Sequence, residues 1–119
     1  MNIPTRTDWQ AKAAAMRFPH QAFIDGQHVD ALSGATFDAL SPIDGAVLAK
    51  VARCDGADVD RAVQVARRAF ASGRWSESKP THRKKVLVKF AQLIHDHREE
   101  LALLEALDMG KPVMDALNV

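Results

Sequence analysis

Leu104-Glu105-Ala106-Leu107-Asp108-Met109-Gly110-Lys111-Pro112 decides how this chain is read. Its first half is the tail of an apolar helix. Gly110 stands where a helix C-cap needs a left-handed residue, and Pro112 forbids simple continuation. Upstream, Leu101, Leu104 and Leu107 make the apolar stripe of a helix expected over about His97 to Leu107. Asp96 is its expected N-cap, with Glu99 as the acidic partner three residues on. Before that, Pro80 is well placed to open a longer helix, whose expected buried face is Val86, Leu87, Phe90, Leu93, Ile94 and His97. The helical pattern restarts at about Lys111, and seven residues follow Pro112.

Further upstream the period changes. Asp55 is the expected cap of a helix with Asp58 and Asp60 in its first turn, where the helix dipole favours negative charge. Val59, Ala62, Val63, Ala66 and Phe70 form its stripe, and Gly73 closes it. Before Asp55 the chain is β-rich. Ala22-Phe23-Ile24 and Gln27-His28-Val29 flank Asp25-Gly26, the dipeptide of a type I′ hairpin turn with positive φ at both central residues. Ser33-Gly34 marks a second turn, Thr36 to Leu40 a strand, Ser41-Pro42-Ile43-Asp44-Gly45 a reversal, and Ala46 to Val51 another strand. The first element is a helix from Asp8 to Phe18, with Trp9, Ala13 and Met16 on one face, Thr7 or Asp8 as cap and Pro19 as terminator. The predicted order is helix, β-hairpin or small meander, helix, two helices. Alternating βαβ units are absent after Gly73, so this chain does not hold a complete doubly wound sheet.

Composition places the chain among globular proteins. It has 119 residues, 47% hydrophobic and 26% charged, with a formal net charge of +1. That balance gives no general attraction to nucleic acid or to membranes. No apolar run approaches the roughly 20 residues that span a bilayer. Asp8 and the lack of a continuous apolar core argue against a secretory leader. The single cysteine, Cys54, excludes an internal disulfide and is compatible with a reducing compartment.

Three sets of residues invite a chemical role, and each has a plainer explanation. Cys54 is a candidate nucleophile beside a helix N-terminus, yet nothing near it in sequence reads as an activating base, and an incidental thiol is the simpler account. His82, His95 and His97 suggest a metal. His95 and His97, however, are two positions apart on a helix, where ligand pairs need three or four. Lys79, His82, Arg83, Lys84, Lys85 and Lys89 form a basic run without an acid among them. Interleaved aromatics for base stacking are missing, so a solvated face, or one pairing with carboxylates of another domain, explains it better than nucleic acid. No dinucleotide fingerprint, phosphate loop, CxxC pair or nucleophile elbow occurs.

As a pattern, L-E-x-L-D-x-G-K-P at 104–112 resembles a signature of NAD(P)-dependent aldehyde dehydrogenases. The resemblance runs over about residues 20–119, in family order. Phe23-Ile24-Asp25-Gly26 is similar to the opening F-I-[ND]-G hairpin, and Thr36-Phe37 with Ser41 to Gly45 to the following turn. Asp58 to Val63 with Ala66 and Phe70 is similar to the D-V-[DE]-x-A-V helix, and Trp75, Arg83, Leu87, Leu93 and Glu99-Glu100-Leu101 follow. The branch acting on γ-glutamyl-γ-aminobutyraldehyde and on amino or betaine aldehydes looks nearest.

This resemblance implies an α/β family with a Rossmann-type parent domain, of which residues 20–119 are an incomplete N-terminal part and 1–19 a helical extension. It implies a cytoplasmic homo-oligomer that oxidises a small-molecule aldehyde to a carboxylate with NAD or NADP through a cysteine thioester. The family's nucleophile lies in a G-Q-x-C context that Cys54 does not match, so no catalytic or cofactor-binding residue is expected within the chain, which alone is predicted inactive. One family ligand set does fall inside: a site for K⁺ or Na⁺, matched by the backbone carbonyls of Ala39 and Leu40 and the carboxylate of Asp108. The competing reading is a free-standing, non-catalytic binding module that reuses the same segment.

Overall fold

The computed structural model describes residues 5–117. In chain order its elements are α1 (Arg6–Ala15), β1 (Ala22–Ile24), β2 (Gln27–Val29), β3 (Thr36–Leu40), β4 (Val47–Ala52), α2 (Gly56–Ala71), α3 (Pro80–Asp96), α4 (Arg98–Met109) and α5 (Val113–Leu117). The chain divides into two compact units. One comprises Asp38–Ala49 with the described parts of Met1–Pro19 and His97–Val119; the other comprises His20–Phe37 and Lys50–Asp96.

In the first unit, α1 begins earlier than its sequence suggests. Thr5 is the N-cap, and Asp8 is its partner: the Asp8 N–H donates to Thr5 Oγ1 at 3.3 Å, and the Thr5 N–H to the Asp8 carboxylate at 2.7 Å. The helix also stops earlier, at Ala15, with Met16 extended (φ −69°, ψ 137°). Pro19 bars helical geometry at Phe18 and removes a donor, so the last turn unwinds ahead of it.

Trp9 is buried against α4, whose buried residues are Ala102, Leu103 and Ala106. The expected stripe was Leu101, Leu104 and Leu107; Leu101 is instead 44% exposed and the other two are half-buried. Small side chains explain the shift, because alanines at 102 and 106 admit the close approach that leucine would block. Asp96 is not the N-cap of α4 either. It ends α3 and accepts a hydrogen bond from Gln92 Nε2 at 2.8 Å, while His97 takes the cap position without a side-chain bond. Glu99 is drawn to Lys12 of α1 in an ion pair, a stronger partner than a neutral backbone N–H.

The end of α4 is as read. Gly110 is left-handed (φ 77°, ψ 15°), its N–H bonds the Ala106 carbonyl, and α5 restarts after Pro112, whose carbonyl accepts from Asp115 and Ala116.

The second unit holds the β1–β2 hairpin, antiparallel with Ala22 opposite Val29 and Ile24 opposite Gln27. Asp25 (φ 58°) and Gly26 (φ 75°) make the expected type I′ turn. Ile24 is buried, while Phe23 lies against His28 with ring centroids 5.2 Å apart. A continuous meander does not form. β1 pairs with β2 and β3 with β4 in separate two-stranded sheets. The turn closed by Gly34, whose N–H bonds the Ala31 carbonyl at 2.8 Å, diverts the chain after β2, and the Leu32 N–H goes to Asp58.

Helix α2 is capped by Asp55 as read, and Gly73 (φ 67°) lies just past its end. The expected apolar faces of α2 and α3 are nevertheless open: Val59, Val63 and Phe70 are exposed, and α3 has no buried residue. Their stripes are periodic enough to make helices, and among the described residues they stay largely exposed.

Candidate functional site

Ala39 is half-buried in β3, Leu40 is exposed at its last position, and Asp108 is exposed in the last turn of α4. All three belong to the first unit. The helix end and the strand end are close neighbours. A Cβ built on Gly110 would lie 3.4 Å from Pro42 Cγ, two residues after Leu40. The reversal there is held by short-range polar contacts. Gly45 N–H donates to the Ser41 carbonyl at 2.8 Å, and Ala46 N–H to the Asp44 carboxylate at 3.1 Å. That bond, with a second from the Ser41 side chain, holds the Asp44 carboxyl below its ordinary pKa.

Backbone carbonyls and a carboxylate are hard oxygen donors. The last carbonyls of a helix carry its partial negative charge, and Asp108 adds a carboxylate at the same end. Oxygen donors of this kind match alkali or alkaline-earth ions and not the softer transition metals. Among the described residues no group of three or more His, Cys, Asp or Glu side chains is placed to hold a metal.

The other candidates separate. Cys54 is an exposed free thiol between β4 and the cap of α2, with no side-chain partner among the described residues. His97 Nδ1 lies 3.1 Å from Glu100, and both are largely exposed. The basic run splits in two. Lys79, Lys84, Lys85 and Lys89 are exposed, whereas Arg83 is half-buried and turns its guanidinium onto the carbonyls of Trp75, Ser76 and Ser78. Arg83 thus closes the loop between α2 and α3.

Three residues mattered more than the sequence suggested. Asp58 is 2% exposed and accepts from Leu32 N–H at 3.0 Å and Asp55 N–H at 3.1 Å. The Asp55-x-x-Asp58 spacing pointed to the second bond, and no local signal pointed to the first. Lys12 and Glu99 are 87 positions apart, beyond the reach of any periodicity. The described strands form two antiparallel pairs, with no crevice at the carboxyl ends of parallel strands and no glycine-rich turn.

The aldehyde dehydrogenase family model matches residues 28–118, and the chain belongs to that family, an α/β fold of NAD(P)-dependent oxidoreductases. Among its relatives is the aminoacetaldehyde dehydrogenase of Pseudomonas aeruginosa, 46% identical over 93% of this chain and 22% of that protein. Two solved structures are similar. The γ-glutamyl-γ-aminobutyraldehyde dehydrogenase of Burkholderia cenocepacia is 54% identical over 95% of this chain and 23% of its own, with a TM-score of 0.93. The P. syringae indole-3-acetaldehyde dehydrogenase, solved with NAD⁺, is 52% identical over 98% and 24%, with a TM-score of 0.95. This chain therefore spans about a quarter of the length of the relatives it matches. Among the described residues no helix is long and apolar enough to cross a membrane.

Proposed function

We propose that this chain forms the first structural layer of an enzyme that oxidises an aldehyde to a carboxylate with NAD⁺ or NADP⁺, and that it supplies no catalytic group itself. The observation that carries the reading is similarity above half identity to aldehyde dehydrogenases over nearly the whole chain, at TM-scores of 0.93 and 0.95. The relatives named for aminoacetaldehyde and γ-glutamyl-γ-aminobutyraldehyde favour a substrate whose aldehyde is carried on a short amine or amide chain. A reducing, cytoplasmic setting fits the lone exposed thiol, and a homo-oligomer fits the open apolar faces of α2 and α3. In this reading residues 1–19 are an extension and 20–119 the opening of the cofactor-binding domain. The nicotinamide accepts a hydride when bound. The contribution of this chain is the scaffold: capped helices and paired strands that hold a fixed shape.

The complete reading frame containing this chain, expressed and purified, is expected to form NADH or NADPH with amino aldehydes faster than with short aliphatic aldehydes. Absence of any aldehyde-dependent reduction would sink the reading.

The Ala39 and Leu40 carbonyls with the Asp108 carboxylate are proposed to hold one K⁺ or Na⁺ ion as a structural tie between β3 and α4. The melting temperature is expected to rise with K⁺ or Na⁺ over equal choline chloride, and Asp108→Asn is expected to abolish that difference. A melt indifferent to the cation in the parent protein counts against the tie.

A further inference from the structure

Three Asp-Gly pairs occur in the sequence, at 25–26, 44–45 and 55–56, and two of them sit in the same tripeptide, Ile-Asp-Gly. Asp-Gly is the sequence in which aspartate most readily isomerises, because glycine has no Cβ to hinder ring closure on its own nitrogen. Local sequence therefore treats Asp25 and Asp44 almost alike. Their surroundings differ.

Each part of the Asp44 pair is occupied. Gly45 N–H, the would-be nucleophile, donates to the Ser41 carbonyl at 2.8 Å, and the carboxylate accepts from Ala46 N–H at 3.1 Å. The same bonds keep that carboxyl ionised, and ring closure proceeds on the neutral acid. The Asp55 pair is held as well. Its carboxylate accepts from Ala57 N–H at 2.9 Å, its own N–H donates to Asp58 at 3.1 Å, and Gly56 is the first residue of α2. Asp25 is exposed at a hairpin tip, and among the described residues neither its carboxyl nor the Gly26 N–H has a hydrogen-bond or ion-pair partner. Nothing lies within 4 Å of where a Gly26 Cβ would be, although that openness is shared by Gly45 and Gly56. Hydrogen bonding separates Asp25 from Asp44, and its carboxylate bond together with the start of α2 separates Asp55 from both.

We infer that the Asp25–Gly26 turn is this protein's site of spontaneous aspartate-to-isoaspartate modification. The Gly26 nitrogen attacks Asp25 Cγ, a C–N bond forms, and the carboxyl hydroxyl leaves as water with the amide proton. Water then adds to the cyclic succinimide. Addition at Cγ restores aspartate; addition at the former backbone carbonyl leaves the chain running through the side-chain carbon. Water is lost once and regained once, and nothing is oxidised or reduced. The product carries an extra backbone carbon in a two-residue turn whose register sets Ile24 opposite Gln27. A longer turn no longer fits that register, and buried Ile24 is the side chain displaced.

The test is accelerated ageing of the folded protein at neutral pH beside a sample held in denaturant. Digestion and electron-based fragmentation then locate isoaspartate at each position. Freeing the Gly45 N–H costs about one net hydrogen bond, so position 25 is expected to exceed positions 44 and 55 by about tenfold in the folded sample. In denaturant positions 25 and 44 should converge. Earlier accumulation at 44 or 55, equal distributions in folded and denatured samples, or aspartate persisting at 25 while the denatured chain reacts would each overturn the assignment.

Discussion

Asp58 takes one backbone N–H on each carboxylate oxygen, from Leu32 beyond the hairpin and from Asp55 at the head of α2. Asp58 itself is 2% exposed, while Leu32 and Asp55, which donate to it, lie in exposed stretches of chain. Asp58→Ala leaves two N–H groups without an acceptor and is expected to cost about 2–4 kcal/mol, read as a lower urea midpoint at unchanged slope. Asp58→Asn keeps one acceptor oxygen but points an amide donor at the second N–H, so it should recover only part of the loss. An alanine variant within about 0.5 kcal/mol of the parent would remove Asp58 from its place as the link between hairpin and helix. The sequence reading gave Asp58 only a favourable place in the first turn of α2. The spacing from Asp55 is a capping box, while the bond to Leu32 depends on where the turn after β2 comes to rest.

Helix α1 is short, and the bonds that hold it involve carboxylates. The Asp8 carboxyl is held below its ordinary pKa first by the Thr5 hydroxyl and then by the Thr5 N–H, and Glu99 is held low chiefly by Lys12. A carboxyl depressed in the folded state adds stability that is fully present above its ordinary pKa, near 4. That stability is lost as pH falls through the lower, folded value. Acid should therefore release α1 early. With Trp75 replaced by phenylalanine, emission from buried Trp9 is expected to shift to the red below about pH 4, ahead of the loss of total helix signal. Coincident transitions would show instead that α1 leaves only with the whole fold. At this scale the sequence was legible where one residue type does one job. The I′ turn at Asp25-Gly26, the Asp55 cap, the left-handed Gly110 and the strand Thr36–Leu40 all stand as read. It misled where partners come from afar. Glu99 pairs with Lys12 and leaves the α4 cap bare, and Ala102, Leu103 and Ala106 are the buried residues of α4 in place of Leu101, Leu104 and Leu107. The proposed cation ligands belong to one unit, and their local spacing carries no signal of a shared site.

The whole molecule leaves an unusual share of large apolar side chains in solvent: Phe70 is 78% exposed, Phe90 59% and Leu87 57%. Patches of that kind drive association, so the 119-residue chain is expected to elute above monomer size, and more so as salt rises. A monomer at all concentrations would show the faces to be tolerated in water. The same openness bears on catalysis. Aldehyde oxidation through a thioester needs a poised thiolate, a base for the water that releases the acid, and a site that fixes the dinucleotide against the substrate. Cys54 is the only thiol in the sequence, and it stands exposed before α2 with no side-chain partner among the described residues. No described strand pair offers a phosphate-binding turn. We therefore expect no aldehyde-dependent NADH absorbance from this chain purified away from longer enzymes. Turnover that vanished in Cys54→Ala would assign the chemistry to this thiol and overturn the scaffold reading. Turnover untouched by that substitution would belong to a contaminant, and removing it by a second purification step should return the signal to zero.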